Sequence, residues 1–469
     1  MTIAPERRAA AGPAKAWAVA TGGSPLGVAR GFSKNPITLL TDVFEQYGDA
    51  VKVRFLANQY FYFLSNPDHI RHVLATNSAN YSKAPHPAFL LLGRVMGKGL
   101  VTSDGDLWQR QRRLIQPAFT KQRVATYGDM MTGATLRMLD RWRERDARGD
   151  DSPVNVDAEM MRLTLDIVGQ TLFNMDIINE AGKVGTAFSE VSEQFAKLLG
   201  NPFGPLMVNM PFLPSVKRFN ANVAELDEVI HDIITSRREH PVDTGDLLSL
   251  LMAVTDEDGG VGMSDQQLRD EVMTLLLSGH ETTADALTWT FHLLAEHPEV
   301  LERLEDEVDT QLSGRTATVA DLPNLPYSRM VIQEAMRLYP AIYLLARWGN
   351  GPDEVGGLPL PKDASITICP WVVHRHPDYW PDAERFDPER FTPENQAKQH
   401  HYAYVPFSGG QRQCLGVHFA LMEAQLLLTT VVQQFRLRSV PGHRVVAGPV
   451  MTLRPEGGLP MYAEPRSGS

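Results

Sequence analysis

The 469-residue chain has only two cysteines, Cys369 and Cys414. Two thiols cannot build a disulfide framework, so the sequence reads as a protein of a reducing compartment, the cytoplasm. Long hydrophobic runs are also missing. No stretch of about 20 consecutive apolar residues occurs, which excludes a spanning helix. The N-terminal "MTIAPERRAAAGPAKAWAVATGGSPLG" lacks the apolar core of a secretory signal. The sequence therefore predicts a soluble protein with no membrane anchor. Basic residues are outnumbered, 45 Lys and Arg against 56 Asp and Glu, for a formal charge of -11. That balance argues against non-specific nucleic-acid binding. Repeats and low-complexity tracts are absent. What is there, 43% hydrophobic and 22% charged residues, is enough for a large core.

Residues 1–25, rich in Ala, Gly and Pro, read as a loose N-terminal tail, and residues 26–469 as one large domain. A short helix and β-like runs ("AVKVRF", "QYFYFLS") fill residues 38–72. Helical spacing then dominates from Asp106 to Gln311, broken by loops such as "GNPFGPLMVNMPFLP" and "TDEDGGVG". Beyond Pro340 come short strands ("SITICPWVV"), one more helix starting near Cys414 and a terminal β-like region. The fold class is mainly α with a minor β portion. One helix stands out: Ser264, with Gln267 three residues on, fits a capping box, and no proline follows until Pro298. Such a helix spans roughly 45 Å. Its centre, "SGHETT", is polar between apolar flanks, a costly arrangement in a buried helix unless something uses it.

Cys414 lies in "PFSGGQRQCLG", just before the helical run "LGVHFALMEAQLLLTTVVQQF". A helix start offers unpaired N–H groups and the positive end of a dipole, which favour a thiolate. Gly409 and Gly410 allow a loop to turn its amides toward the sulfur. Gly416 removes a side chain where a flat ligand would meet the helix. Phe407 supplies an apolar shield, and Arg412 a nearby cation. A lone cysteine is usually a buried small hydrophobe; the pattern F-x-x-G-x-R-x-C-x-G reverses that reading. This stretch resembles the cytochrome P450 family, the haem-thiolate monooxygenases.

The resemblance implies haem b (heme b, iron protoporphyrin IX) between the long central helix and the cysteine-bearing helix, with Cys414 as the iron's axial ligand. Three further motifs occur in the family's order. "EAMR" supplies Glu334 and Arg337, and "FDPERF" adds Arg390; the resemblance makes them a structural charge network under the cysteine loop. "WQRQR" puts Trp108 and Arg112 one turn apart, and the resemblance assigns them, with Arg347 and Arg412, to the haem propionates. In "SGHETT" it places Gly279 beside the haem plane and Thr282 over the iron. Glu281 and Thr282 then resemble an acid–alcohol pair that relays protons through water during dioxygen activation. A zinc-protease reading of "HETT" fails, because H-E-x-x-H needs a second His and position 284 is Ala. Outside these motifs, Cys369 reads as a core residue, and His280, His374 and His376 as structural.

The family's substrate-contact regions map to Val95, Ser278, Ala341 and Ile342, with residues 198–214 as a roof. These are apolar apart from Ser278, which suits an apolar substrate: a terpenoid, a fatty acid or a polyketide. "LANQYFYF" has Asn58 and Gln59 where resembling fatty-acid hydroxylases carry an Arg, which favours a terpenoid-like molecule. No fused reductase is expected after the last motif. Electrons from NAD(P)H are thus expected through a separate ferredoxin or flavodoxin and its reductase, steered to Arg110, Arg113, Lys121 and Arg123. The leading expectation is a monooxygenase using O2. The alternatives are a thiolate-haem peroxygenase or isomerase, and a haem sensor that does not turn over.

Overall fold

Ser264 accepts a hydrogen bond from the Gln267 amide at 3.2 Å and starts a helix that runs from Asp265 to Glu296. At 32 residues it is about 48 Å long. It ends where Pro298 opens the next helix, Pro298–Leu312. Only half of the predicted capping box forms: the Gln267 side-chain oxygen accepts from Arg110 instead, at 3.4 Å. In the computed structural model, which describes residues 16–23, 27–174, 178–201, 204–239, 246–253 and 263–466, this helix is the axis of the molecule. Between Leu268 and Leu294 every residue is buried except Ser278, Gly279, Thr282 and His292. A helix buried on all sides must be surrounded by other elements. Here they include the helices Val156–Phe173, Pro326–Leu338 and Val417–Gln434.

A six-stranded sheet stands beside the helices. Its order is Ala18–Ala20, Ala50–Leu56, Gln59–Leu64, Ser365–Ile368, Leu345–Gly349 and Tyr81–Ser82. The "QYFYFL" strand shows the period-2 rule: Phe61 and Phe63 pack with Val51 and Val53, while Tyr62 and Leu64 pack with Ile366 and Ile368 on the other face. Cys369 is fully buried in the first of these clusters, a core residue as read.

One boundary needs correction. Ala18–Ala20 fall inside the predicted loose tail, yet they pair in parallel with Val51–Val53. The strand Ala50–Leu56 would otherwise offer an open row of backbone donors and acceptors, and this short run satisfies it. Trp17 anchors the segment, its indole N–H donating to the Pro359 carbonyl at 2.7 Å. The rest of the predicted tail, residues 1–15 and 24–25, lies outside the described residues. So do residues 202 and 203 of the predicted roof and the whole predicted loop "TDEDGGVG", residues 255–262. Near the C-terminus a hairpin, Ala447–Pro449 with Leu453–Pro455, leans on the central helix, and the Leu453 amide donates to the Ala341 carbonyl at 2.9 Å.

Candidate functional site

The loop that carries Cys414 is held by glycines and by its own backbone. Gly410 sits at φ +66°, and a β-carbon there would lie 1.9 Å from the Leu74 carbonyl oxygen, so only glycine fits. The Cys414 amide donates to the Phe407 carbonyl at 3.0 Å, with Phe407 half-buried against the main core. Gly416, just beyond the cysteine, is the N-cap of the helix Val417–Gln434. Unlike Cys369, Cys414 is exposed. Its sulfur is nonetheless ringed by protein, and this loss of solvation pushes the thiol pKa up, against the Gly416 amide, Arg112 and Lys83. A metal cation bound there would hold the sulfur as the thiolate, since coordination deprotonates a thiol outright.

Behind the loop, the predicted charge network is present. Glu334 and Arg337 are both fully buried, and Arg337 donates to the two carboxylate oxygens at 2.7 and 2.8 Å. The Asp387 amide donates to Glu334 at 2.9 Å, and Arg390 approaches the same carboxylate at 3.4 Å. Arg337 also donates to the carbonyls of His374 and Arg385. His374 explains how this reaches the cysteine loop. Its Nε2 accepts from the Val405 amide at 2.9 Å, so Nδ1 carries the proton and faces the Arg337 carbonyl. Burial holds His374 neutral, its pKa down to about 3. His376 bonds Asp49 at 2.9 Å. Both histidines are structural, as read from the sequence.

A cluster of cations lies beside the loop. Arg412 pairs with Asp104, donates to the Ser103 carbonyl at 2.8 Å and stacks on Trp108, 3.8 Å from the ring centre. Arg112 donates to the Gln413 carbonyl at 2.9 Å. Arg347, on the strand Leu345–Gly349, is buried and donates to the Ala346 carbonyl; no ion pair with an acid is found for it among the described residues. Burial and the neighbouring Arg412 bring its pKa down to about 10. Sequence reasoning missed Lys83, whose ammonium donates to the Val101 carbonyl at 2.7 Å. Burial, Arg347 and Arg412 depress it, while Asp104 and Cys414 act the other way. It also missed Asp104, which accepts from the Lys83 and Ala84 amides. Four cations are thus gathered around one carboxylate and one thiol. Buried charge of one sign costs free energy unless it is balanced. The donor set fits a planar cofactor that brings a metal to the sulfur and two carboxylates to Lys83, Arg112, Arg347 and Arg412.

On the central helix the polar centre resolves into separate faces. Ser278 and Thr282, four residues apart, are the partly open positions. Their hydroxyls donate back to the Thr274 and Ser278 carbonyls at 2.6 and 3.0 Å. Gly279 is partly open as well, but a side chain there would meet Val168 at 3.2 Å, so the glycine also serves the contact with the helix Val156–Phe173. Glu281 is turned away and buried, 1% exposed, beside Arg454 and Thr452. It makes no hydrogen bond to Thr282 in this structure, so the two side chains do not form a direct pair. His280 is buried and bonded to the Leu276 carbonyl, a structural residue as read.

Ala341 and Ile342 are half-buried, whereas Val95 is 1% exposed and belongs to the main core. Asn58 and Gln59 are exposed at a turn of the sheet. Arg113 and Lys121 are exposed, while Arg110 and Arg123 are half-buried. The surface near the cysteine helix also carries His418, close to Lys121 and Arg329. A groove of about 540 Å³ opens there, lined by Trp108, Arg112, Arg113 and Gln116 among others. No described helix is long and apolar enough to cross a membrane.

Comparison with known proteins gives these features a context. The family model described as Cytochrome P450 matches residues 22–455. Cyclooctatin synthase of Streptomyces melanosporofaciens is 36% identical over 451 residues, 96% of this chain and 95% of that protein. Cyclooctat-9-en-7-ol 5-monooxygenase of the same organism is 34% identical over 466 residues, 98% of each chain. Pentalenene oxygenase of Streptomyces avermitilis is 34% identical over 397 residues, 84% of this chain and 85% of that protein.

Proposed function

Because the chain belongs to the cytochrome P450 family of haem-iron monooxygenases, we propose that it inserts one oxygen atom of O2 into an apolar, terpenoid-like molecule, with Cys414 as the residue that would hold the haem iron. The observation that carries this reading is the placing of Cys414 before the helix Val417–Gln434, flanked by the Gly416 amide and by cations that outnumber their acids. Haem bound there supplies the oxygen-activating iron, and thiolate ligation favours O–O cleavage. The protein's own residues do the rest. Arg112, Arg347, Arg412 and Lys83 would hold the propionates, with Trp108 stacked beneath Arg412. Phe407 and the Gly410 turn fix the sulfur. Thr282 presents a hydroxyl at the open face of the central helix, and Glu281, buried next to it in sequence, is the acid that restocks it with protons through water or a side-chain rotation.

The terpenoid preference rests on two supports. Cyclooctat-9-en-7-ol 5-monooxygenase and pentalenene oxygenase are named for terpenoid substrates, and the Asn58–Gln59 turn offers no cation for a fatty-acid carboxylate. Ser278, Ala341 and Ile342 would line the substrate space; Val95, sealed in the core, would shape it from behind. An acidic ferredoxin or flavodoxin, reduced by its NAD(P)H-dependent reductase, would dock over Arg113 and Lys121. A cytoplasmic setting accords with this supply.

The test is direct. Wild-type protein reconstituted with haem should give the ferrous–CO absorption of a thiolate ligand, and Cys414→Ala should lose it. Retention of that absorption in the variant refutes the ligand assignment. Binding-induced spectral shifts across a panel of terpenes, fatty acids and macrolides test the substrate class. Turnover driven by NAD(P)H, ferredoxin and reductase separates this reading from a peroxygenase or a sensor. Thr282→Ala should divert electrons from product to peroxide; unchanged coupling would remove Thr282 from the relay.

A further inference from the structure

Behind Thr282, among the described residues, the structure buries three carboxyls with a single cation. Glu281 and Asp285 lie four residues apart on the central helix, 1% and 0% exposed. Asp157 opens the helix Val156–Phe173 and is 3% exposed. Arg454, on the hairpin strand Leu453–Pro455, reaches Asp157 at 3.2 Å. Its side chain is 25% exposed, so the cluster has one edge at the surface. Neither oxygen of Asp285 has a hydrogen-bond partner in the protein, nor has Oε1 of Glu281 or Oδ1 of Asp157. The Thr452 hydroxyl, 3% exposed, lies beside both Glu281 and Asp285 and acts against the rise in their pKa. Three ionised carboxylates around one guanidinium would leave two uncompensated negative charges in a space closed except at Arg454, which favours retained protons.

We propose that Asp285 is the proton-sharing partner of Glu281, and that Asp285, Asp157 and Arg454 together form a buried proton store reaching the surface at Arg454. This rests on the reading of Glu281 as the acid that serves Thr282. When Glu281 gives up its proton, the Asp285 carboxylic acid hands over its own and becomes the carboxylate, and a proton entering at the Asp157–Arg454 edge restores it. Burial raises the pKa of all three acids, and the Glu281 carboxylate raises Asp285 further. The charged groups acting on the pair are Asp157 from the neighbouring helix and Arg454 from the hairpin. His280 of the central helix feels Arg454 and is held neutral, its pKa down to about 4. Asp285 is a positioning residue: it acts through Glu281.

Infrared difference spectra of the haem-loaded protein test this without turnover. At pH 8, where exposed carboxyls are ionised and the buried Glu271 and Glu423 contribute equally to both proteins, the wild-type minus Asp285→Asn difference should contain a deuterium-sensitive protonated-carboxyl band. In Glu281→Gln the band should remain but titrate about one pH unit lower, because the repelling carboxylate is gone. Asp157→Asn frees Arg454 for the pair and should also lower that midpoint; it covers the case in which Asp285→Asn does not fold. A wild-type spectrum identical to that of Asp285→Asn, or a midpoint unmoved by both Glu281→Gln and Asp157→Asn, overturns the proposal. Thr282→Ala should leave the band in place. A failure of the Thr282 relay therefore shows in coupling alone, and a failure of the store shows in the infrared alone.

Discussion

Glu271 offers a quantitative check on the architecture around the site. Its side chain is fully buried on the central helix, and Oε2 accepts from the Leu100 amide at 3.0 Å while Oε1 has no partner. It thereby pins the segment that leads to Trp108, together with Asp270, which accepts from the Lys98 amide. Burial, assisted by Asp270, pushes the Glu271 pKa from 4.5 up to about 8. Below pH 4.5 the carboxyl is protonated whether the chain is folded or not, and its contribution to stability is fully present. Between pH 4.5 and about 8 the unfolded chain releases this proton and the folded chain keeps it, so stability falls as pH rises. At about 1.4 kcal/mol per pH unit, the interval from 4.5 to about 8 amounts to about 5 kcal/mol as an upper bound. Glu271→Gln keeps an oxygen for the Leu100 amide and removes the titration. The variant should match the wild type in denaturant midpoint near pH 5 and gain on it steadily up to pH 8.5. A difference between the two proteins that is flat with pH would refute the reasoning.

Other perturbations probe other parts of the site. Arg337→Ala leaves Glu334 buried without its bidentate partner, and breaking such a pair costs about 3–5 kcal/mol; the expected result is a protein that loses haem on mild heating. Arg337→Lys should rescue it only in part, because one ammonium cannot match the paired 2.7 and 2.8 Å bonds. Gly410→Ala forces a β-carbon against the Leu74 carbonyl and should move the cysteine loop, seen as a shifted or broadened ferrous–CO band. Charge reversal at Arg113 and Lys121 together should slow reduction by an acidic ferredoxin at low salt, with the deficit closing as salt is raised; equal rates at low salt would count against docking there.

The motif residues were legible because their spacing carries their geometry. Glu334 and Arg337 at i, i+3 had to share a helix face, and Trp108 and Arg112 likewise. The central helix was legible from its cap and its lack of proline. What could not be read came from segments that only the fold brings together. Lys83 and Asp104 belong to a connecting stretch whose place beside Arg347 depends on the pairing of Tyr81–Ser82 with Trp348–Gly349. The strand Ala18–Ala20 is too short for any periodicity to announce it.

The polar centre of the long helix shows the limit most clearly, because adjacency in sequence is not adjacency on a helix. Successive residues point about 100° apart, so Glu281, Thr282 and Thr283 look in three directions. Thr282 shares the open face with Ser278; Glu281 shares a buried face with Asp285 and meets Arg454; Thr283 lies beside Glu423 of the cysteine helix. What the sequence presents as one polar patch is therefore three sets of contacts, to the open face, to the hairpin and to the cysteine helix. An acid and an alcohol that are neighbours in the chain can cooperate only through water or a rotation of the Glu281 side chain. That geometry makes the acids behind Glu281, rather than Thr282 itself, the groups that set how readily Glu281 holds or releases its proton.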